Sequence, residues 1–330
     1  MAYDGKVLRR AAARYDEDKQ RRAEQFRARQ RECYAGDARL EEIDRELSHT
    51  MAKIIASGFR RGVDPRSAIE ALREENLSLQ RERGERLVEL GYPADFLEPK
   101  ANCAKCNDTG WVGSEMCSCL RDYYTREQNA ELSRLLDLGT QSFETFHFDY
   151  YSKEADSEHG QSPYQRMEKN YDACRDYAYE FSPKSGSLLL SGHPGLGKTF
   201  LSASIARVVS DAGRSVVYDT AAHIFARFEA QKFRRDDDAD EAEDDVSRYM
   251  RCDLLIIDDL GTELTTDCVR SALYQIVNTR LMTNRKTIIS TNLNPAELGQ
   301  RYGAAILSRL EGEYRILPFF GDDIRKLKKK

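Results

Sequence analysis

"SGHPGLGKTF", Ser191 to Phe200, is the stretch on which the fold turns. From Gly192 to Thr199 it satisfies G-x-x-x-x-G-K-[ST] at every fixed position, the pattern of a loop that wraps phosphate groups. The pattern alone has false positives, so its setting decides. An apolar run, Leu188 to Leu190, leads into the loop. Leu201, Ile205 and Val208 follow on one helical face, and Gly213 lies just past them. Strand, glycine loop, helix is the order that such a loop requires. Glycines let backbone N–H groups approach phosphate oxygens with no Cβ in the way. The helix N-terminus adds roughly half a positive charge. Lys198 supplies a full charge for β- and γ-phosphates, and the Thr199 hydroxyl is a magnesium ligand. The candidate contacts therefore run through Gly192, His193, Pro194, Gly195, Leu196, Gly197, Lys198, Thr199 and Phe200.

A nucleotide site of this kind needs an acid at the end of another buried strand. "LLIIDDL" supplies it, with Leu254 to Ile257 ending in Asp258 and Asp259. Adjacent carboxylates there are costly to keep charged without a cation or strong donors. Asp258 is expected to hold the magnesium and its hydration shell, and Asp259 to orient or activate the attacking water. "KTIISTN" ends in Asn292, a neutral amide able to contact a γ-phosphate or water. "RYGAAILSRL" places Arg301 and Arg309 on a helical stretch, Arg309 being either a surface charge or a group that reaches a neighbouring subunit's nucleotide.

Around these motifs, "GSLLLSG", "RSVVYDT", "CDLLIIDDL" and "KTIISTN" alternate with amphipathic helices, which argues an α/β architecture with a parallel sheet flanked by helices. Upstream of about Leu97 the chain is rich in Arg, Glu, Ala and Leu. Ile43, Leu47, Met51, Ile54 and Ile55 trace one helical face up to Gly58. A second helix begins after Asp64 with Pro65 in its first turn and carries Ile69, Leu72, Leu79 and Leu90. This region reads as a helical hairpin packed on itself or as a partner-docking surface. The acidic run Arg234 to Asp245 reads as an exposed loop leading to a helix with Val246 and Tyr249.

Of the eight cysteines, Cys103, Cys106, Cys117 and Cys119 cluster as C-x-x-C and C-x-C around a short turn-rich insert. Four thiolates so spaced suit a tetrahedral structural zinc with no open position, the alternatives being free thiols or a redox pair. Net charge is −5, so nucleic-acid contact must be local. Arg270, Arg280, Arg285, Lys286 and the tail Arg325 to Lys330 are the candidate basic surface. No apolar run approaches the roughly 20 residues of a membrane helix, and no signal core opens the chain; the expected location is cytoplasmic.

The motifs "GHPGLGKT", "CDLLIIDDLGTE", "TIISTN" and "ILSRL", in that order, resemble the AAA+ ATPases of the bacterial helicase-loader group, the DnaC/DnaI type, and their relative IstB. The likeness runs from about Gln141 onward. It implies Walker A contacts at Gly195, Gly197, Lys198 and Thr199, Walker B at Asp258 and Asp259, sensor 1 at Asn292, and an arginine finger acting in trans at Arg309. Phe143, Phe146 and Phe148 resemble the stretch that borders the adenine. Asp-Asp in Walker B, where many relatives have Asp-Glu, implies slow hydrolysis. Little chain follows Arg309, too little for a helical lid, so no sensor 2 arginine is assigned. "LGYPADFLEPKANCAKCNDTG" with the later cysteines resembles the zinc region of DnaI-type loaders. The expected organisation is a helical partner-binding region at 1–97, a zinc module at 98–125 and an AAA+ P-loop ATPase domain at 126–330. The resemblance implies a loader that uses ATP, Mg²⁺ and Zn²⁺ and docks on a DnaB-type replicative helicase through its N-terminal region. It also implies contact with single-stranded DNA and self-association through the ATPase domain. An IstB-like transposition helper and an ATP-gated adaptor with little hydrolysis are the alternatives.

Overall fold

The computed structural model describes residues 3–57, 65–136, 141–233 and 246–327. It divides into two compact units, Arg14–Cys117 on one hand and Met1–Ala13 with Ser118–Lys330 on the other. The expected boundaries lay at 97 and 125. Gly58, Asp64 and the acidic run 234–245 fall outside the described residues.

In the Arg14–Cys117 unit, most of helix α1 (Gly5–Gly36) is followed by α2 (Ala38–Ser57) and α3 (Pro65–Glu89), and α2 packs along α3 as a hairpin. Among the described residues, Cys33, Leu40, Leu87 and Leu97 form one apolar cluster, with Ile43 and Leu79 also buried. Polar pairs supplement it. Arg39 bonds Glu82 at 3.0 Å, Arg83 reaches Asp44 at 2.9 Å, and Arg86 reaches Asp37 at 2.9 Å. The Arg39 guanidinium holds the Glu82 carboxyl below its ordinary range. The unit ends in a small antiparallel hairpin, β1 (Trp111–Val112) with β2 (Glu115–Met116).

In the other unit, α4 (Ser118–Leu136) and α5 (Pro163–Tyr179) precede a five-stranded parallel sheet of order β4-β5-β6-β3-β7. Its strands are β3 (Ser187–Gly192), β4 (Val216–Thr220), β5 (Leu254–Leu260), β6 (Lys286–Thr291) and β7 (Tyr314–Phe319). Between them run α6 (Lys198–Asp211), α7 (Ala221–Phe233), α8 (Asp267–Met282), α9 (Pro295–Tyr302) and α10 (Ala304–Glu313); α11 (Ile324–Leu327) follows β7. Strand side chains alternate between faces, and two cores result. Leu189, Leu255, Ile257 and Ile289 join Phe225, Leu273 and Ile276 on one face. Leu188, Leu190, Leu254, Ile256 and Ile288 join Met167, Leu201 and Ile205 on the other. All three interior strands are therefore apolar on both sides, as a sheet covered by helices on both faces requires.

Strand β7 was not foreseen. Its Pro318 lacks an N–H, which an edge strand tolerates, and the Pro318 carbonyl is taken by Asn170 Nδ2 at 2.8 Å.

The start of α1 packs within this unit. The Asp4 amide donates to the Tyr124 hydroxyl at 2.9 Å, and the Asp4 carboxylate pairs with Arg248 at 2.9 Å. Arg248 also pairs with Glu131 at 2.6 Å. Removing one partner of a buried pair strands the other charge. Arg248→Ala is accordingly expected to cost about 3 kcal/mol, read as a lower urea midpoint. Arg248→Lys should recover part of it, since an ammonium cannot fork between two carboxylates.

Candidate nucleotide site

The Walker A loop bends where β3 enters α6. Gly192 (φ 151°) lies so close to β7 that a Cβ would collide with the Phe319 carbonyl. Gly197 (φ 93°) caps α6 in the left-handed region, where a Cβ would stand 2.8 Å from the Tyr151 hydroxyl. That hydroxyl donates to the Leu196 carbonyl at 3.1 Å and braces the loop from outside.

Lys198 is buried, and its Nζ donates to Gly192 O at 2.6 Å, His193 O at 2.8 Å and Asn292 Oδ1 at 2.7 Å. Burial pulls its pKa down to about 8, although Asp259 and Asp258 pull the other way. All three bonded acceptors are neutral, so an arriving polyanion supplies the charge the ammonium lacks. Asn292, at the end of β6, is thereby brought against the Lys198 ammonium.

The carboxylates owe their arrangement to a strand irregularity. In a regular strand, Asp258 and Asp259 would point to opposite faces. The β5–β6 register shifts between Ile257 and Leu260, and Asp259 takes a left-handed backbone with φ 55°. Such a bulge re-aims side chains. Asp258, buried, accepts from Thr199 Oγ1 at 3.1 Å and from Ser290 Oγ. The Ser290 hydroxyl also receives the Asp259 amide at 2.9 Å. Burial, followed by the neighbouring Asp258, raises the Asp259 pKa, with Lys198 and Arg325 opposing. Thr199 and Asp258 offer adjacent oxygen donors and fit a hard divalent cation such as magnesium.

These groups open on a cavity of about 280 Å³ lined by Pro194 to Phe200, Asp259, Asn292, Phe146, Tyr151 and Arg325 among others. Of the three aromatics expected near the base, only Phe146 lines it. Phe143 is buried with Tyr171 donating to its carbonyl at 3.0 Å, and Phe148 packs on Phe146 and Tyr171. A larger cleft of about 780 Å³ beside β7 and α5 mixes Arg166, Lys169, Asp172 and Asp176 without convergent donors.

Arg325, expected on the candidate basic surface, also lines the nucleotide cavity: the Ile324 amide bonds Gly195 O at 3.0 Å and brings the exposed Arg325 beside the loop. Residues 328–330 of the basic tail are outside the described residues. The expected basic surface also needs correction. Arg280 is fully buried and donates to Tyr249 O at 2.7 Å, Cys252 O at 3.1 Å and Thr287 Oγ1 at 2.9 Å; it ties the segment before β5 to β6. Arg285 pairs with Asp253 at 2.5 Å, and the buried Lys286 donates to Asn284 at 2.6 Å. Arg301 donates to Thr265 at 2.6 Å and braces the loop after β5. Arg309 is not among the groups lining the cavity.

Away from the nucleotide cavity, the sulfurs of Cys103, Cys106, Cys117 and Cys119 all lie within 4.8 Å of one another. Cys103 and Cys117 are 3.7 Å apart. A disulfide requires about 2.05 Å, while a tetrahedron with Zn–S of about 2.3 Å has an edge near 3.8 Å. Asn107 and Asp108 turn through positive φ between the first two ligands and the hairpin. The Asp108 carboxylate accepts the Asn102 and Cys103 amides at 3.0 and 2.9 Å. The donor set fits zinc. Among the described residues, no helix is long and apolar enough to cross a membrane.

Residues 173–330 match the family model of the IstB-like ATP binding proteins. The replicative helicase loader DnaC of Escherichia coli strain K12 is 31% identical over 137 residues, covering 42% of this chain and 55% of the relative. DnaC of Buchnera aphidicola subsp. Baizongia pistaciae is 28% identical over 155 residues, covering 47% and 62%. The chain thus spans 55–62% of the length of these curated relatives. The crystal structure of the DnaC helicase loader aligns with a TM-score of 0.45 at 20% identity, over 56% of this chain and 99% of that one. The 173–330 segment is thus similar to the IstB-like ATP binding proteins, and its phosphate loop, paired carboxylates and parallel sheet between helices give it a P-loop ATPase fold.

Proposed function

We propose that the protein is an ATP-dependent helicase loader that docks on a DnaB-type replicative helicase and delivers it to single-stranded DNA. The observation that carries the ATP part is the convergence of Lys198, Thr199, Asp258, Asp259 and Asn292 at the carboxyl ends of three adjacent strands. The cysteine module and the similarity to DnaC loaders support the loader part.

In this reading, the loop amides and Lys198 bind the triphosphate, and Arg325 adds a cation from the same chain. Asp259 orients the attacking water and takes its proton, a role its raised pKa suits. Asn292 holds that water without adding negative charge. Magnesium, held by Thr199 and Asp258, would neutralise phosphate charge. Arg309 serves a nucleotide bound by a neighbouring copy. The shorter Asp259, where many relatives carry glutamate, makes turnover slow, which suits a switch. The helical region and zinc module form the helicase-docking part.

The test is a loading assay with purified DnaB-type helicase and single-stranded DNA circles. Wild type should load helicase, and Lys198→Ala should not. Asp259→Asn should bind ATP, lose turnover by about a thousandfold and stall with the loader still attached. Release by Asp259→Asn at the wild-type rate would favour the ATP-gated adaptor. Failure of wild type to retain any replicative helicase would sink the loader reading and leave the transposition-helper alternative.

A further inference from the structure

Arg309 is held from three sides. Its guanidinium carbon stands 4.7 Å from the centroid of the Tyr274 ring. Nη2 donates to the Tyr274 hydroxyl at 3.0 Å, Nε to Asn278 Oδ1 at 3.2 Å, and Nη1 to the Ala305 carbonyl at 3.3 Å. Tyr274 and Asn278 lie one turn apart on α8, so both partners come from one helix face.

A guanidinium has five N–H groups in a rigid fork. Three are engaged here, which leaves one on each terminal nitrogen. Those two can meet phosphate oxygens as a forked pair. A free arginine side chain also loses rotamer entropy when it docks, and a clamp of this kind removes much of that cost before any ligand arrives. The side chain is half-buried, and its own chain's nucleotide cavity is lined by other groups.

We propose that Tyr274 and Asn278 are positioning residues that present Arg309, preformed, to the terminal phosphate of a nucleotide held by a second copy of this chain. The proposal rests on the trans reading of Arg309 given above, and the experiment separates the two. ATP turnover is measured on full-length protein, alone and in mixtures. Lys198→Ala keeps the arginine but cannot bind nucleotide; Arg309→Ala keeps the nucleotide site. A mixture of the two should regain turnover. Tyr274→Ala and Asn278→Leu should each lower kcat about tenfold, with Mg·ATP affinity and KM within about twofold of wild type. Adding Lys198→Ala subunits, whose clamp is intact, should partly restore either variant. Tyr274→Phe keeps the ring and loses the hydroxyl, so it should fall between Ala and wild type; it also decides the matter if the alanine variant folds poorly. No rescue in the Lys198→Ala and Arg309→Ala mixture overturns the trans reading and the proposal with it. Rescue there, combined with wild-type or faster turnover by Tyr274→Ala and Asn278→Leu, overturns the proposal alone, because it would mean the clamp is passive or restrains the arginine.

Discussion

Lys198→Ala is expected to weaken Mg·ATP binding by at least about a hundredfold. Charge-assisted hydrogen bonds are worth about 1.5–3 kcal/mol each, and Lys198 is placed to make them to two phosphates. The ammonium donates hydrogen bonds to neutral acceptors, two carbonyls and an amide. It is also buried enough for its pKa to fall to about 8. The charge is therefore held at a cost that only a polyanion relieves, and stability should change little on its removal. Calorimetric titration with Mg·ATP, alongside a thermal melt, checks both halves. An affinity within about threefold of wild type would remove the basis of the nucleotide assignment.

The second large effect concerns the metal. Structural zinc contributes about 10–16 kcal/mol of apparent binding free energy in small modules. The hairpin that joins the ligand pairs has strands of only two residues each, and its Trp111 and Val112 are exposed. So little apolar burial cannot order such a loop unaided. Zinc should therefore copurify with the protein, and chelation or Cys106→Ser should strip amide-exchange protection from residues around 103–119 while leaving the sheet protected. Protection that survives complete zinc removal would leave the thiols without a structural role. A fall in free thiols on mild oxidation, with no metal bound, would favour the redox pair.

Much of the nucleotide site was legible because it is local. Gly192 to Thr199 is contiguous, and the runs before Asp258 and Asn292 are short buried strands whose ends fix their side chains at one edge of the sheet. Local pattern also sufficed for the α2–α3 hairpin. What escaped reading depends on distant chain. Asp258 and Asp259 share the site only because β5 bulges against β6, and nothing in "IIDDL" announces a left-handed Asp259. Arg280 sits in an amphipathic run like any surface arginine; acceptors from two distant segments, Tyr249 and Cys252 before β5 and Thr287 on β6, hold it in the interior. Arg325 follows a glycine and two aspartates in a basic tail, where composition suggests solvation. A bond from its neighbour to Gly195 sets it, still exposed, among the groups that line the nucleotide cavity. Strand β7 hid behind Pro318, a residue that marks an edge once the sheet order is known and argues against a strand before then.

The tether between Asp4 and Arg248 bears on how the chain matures on the ribosome. Asp4 is translated before Tyr124 and well before Arg248 and strands β5 to β7. At typical elongation rates the interval is on the order of tens of seconds, during which Asp4 and the apolar side of the first turns of α1 lack their final neighbours. The nascent segment around Asp4 stays open to solvent or to a chaperone until then, and translation pauses before Arg248 would lengthen its exposure.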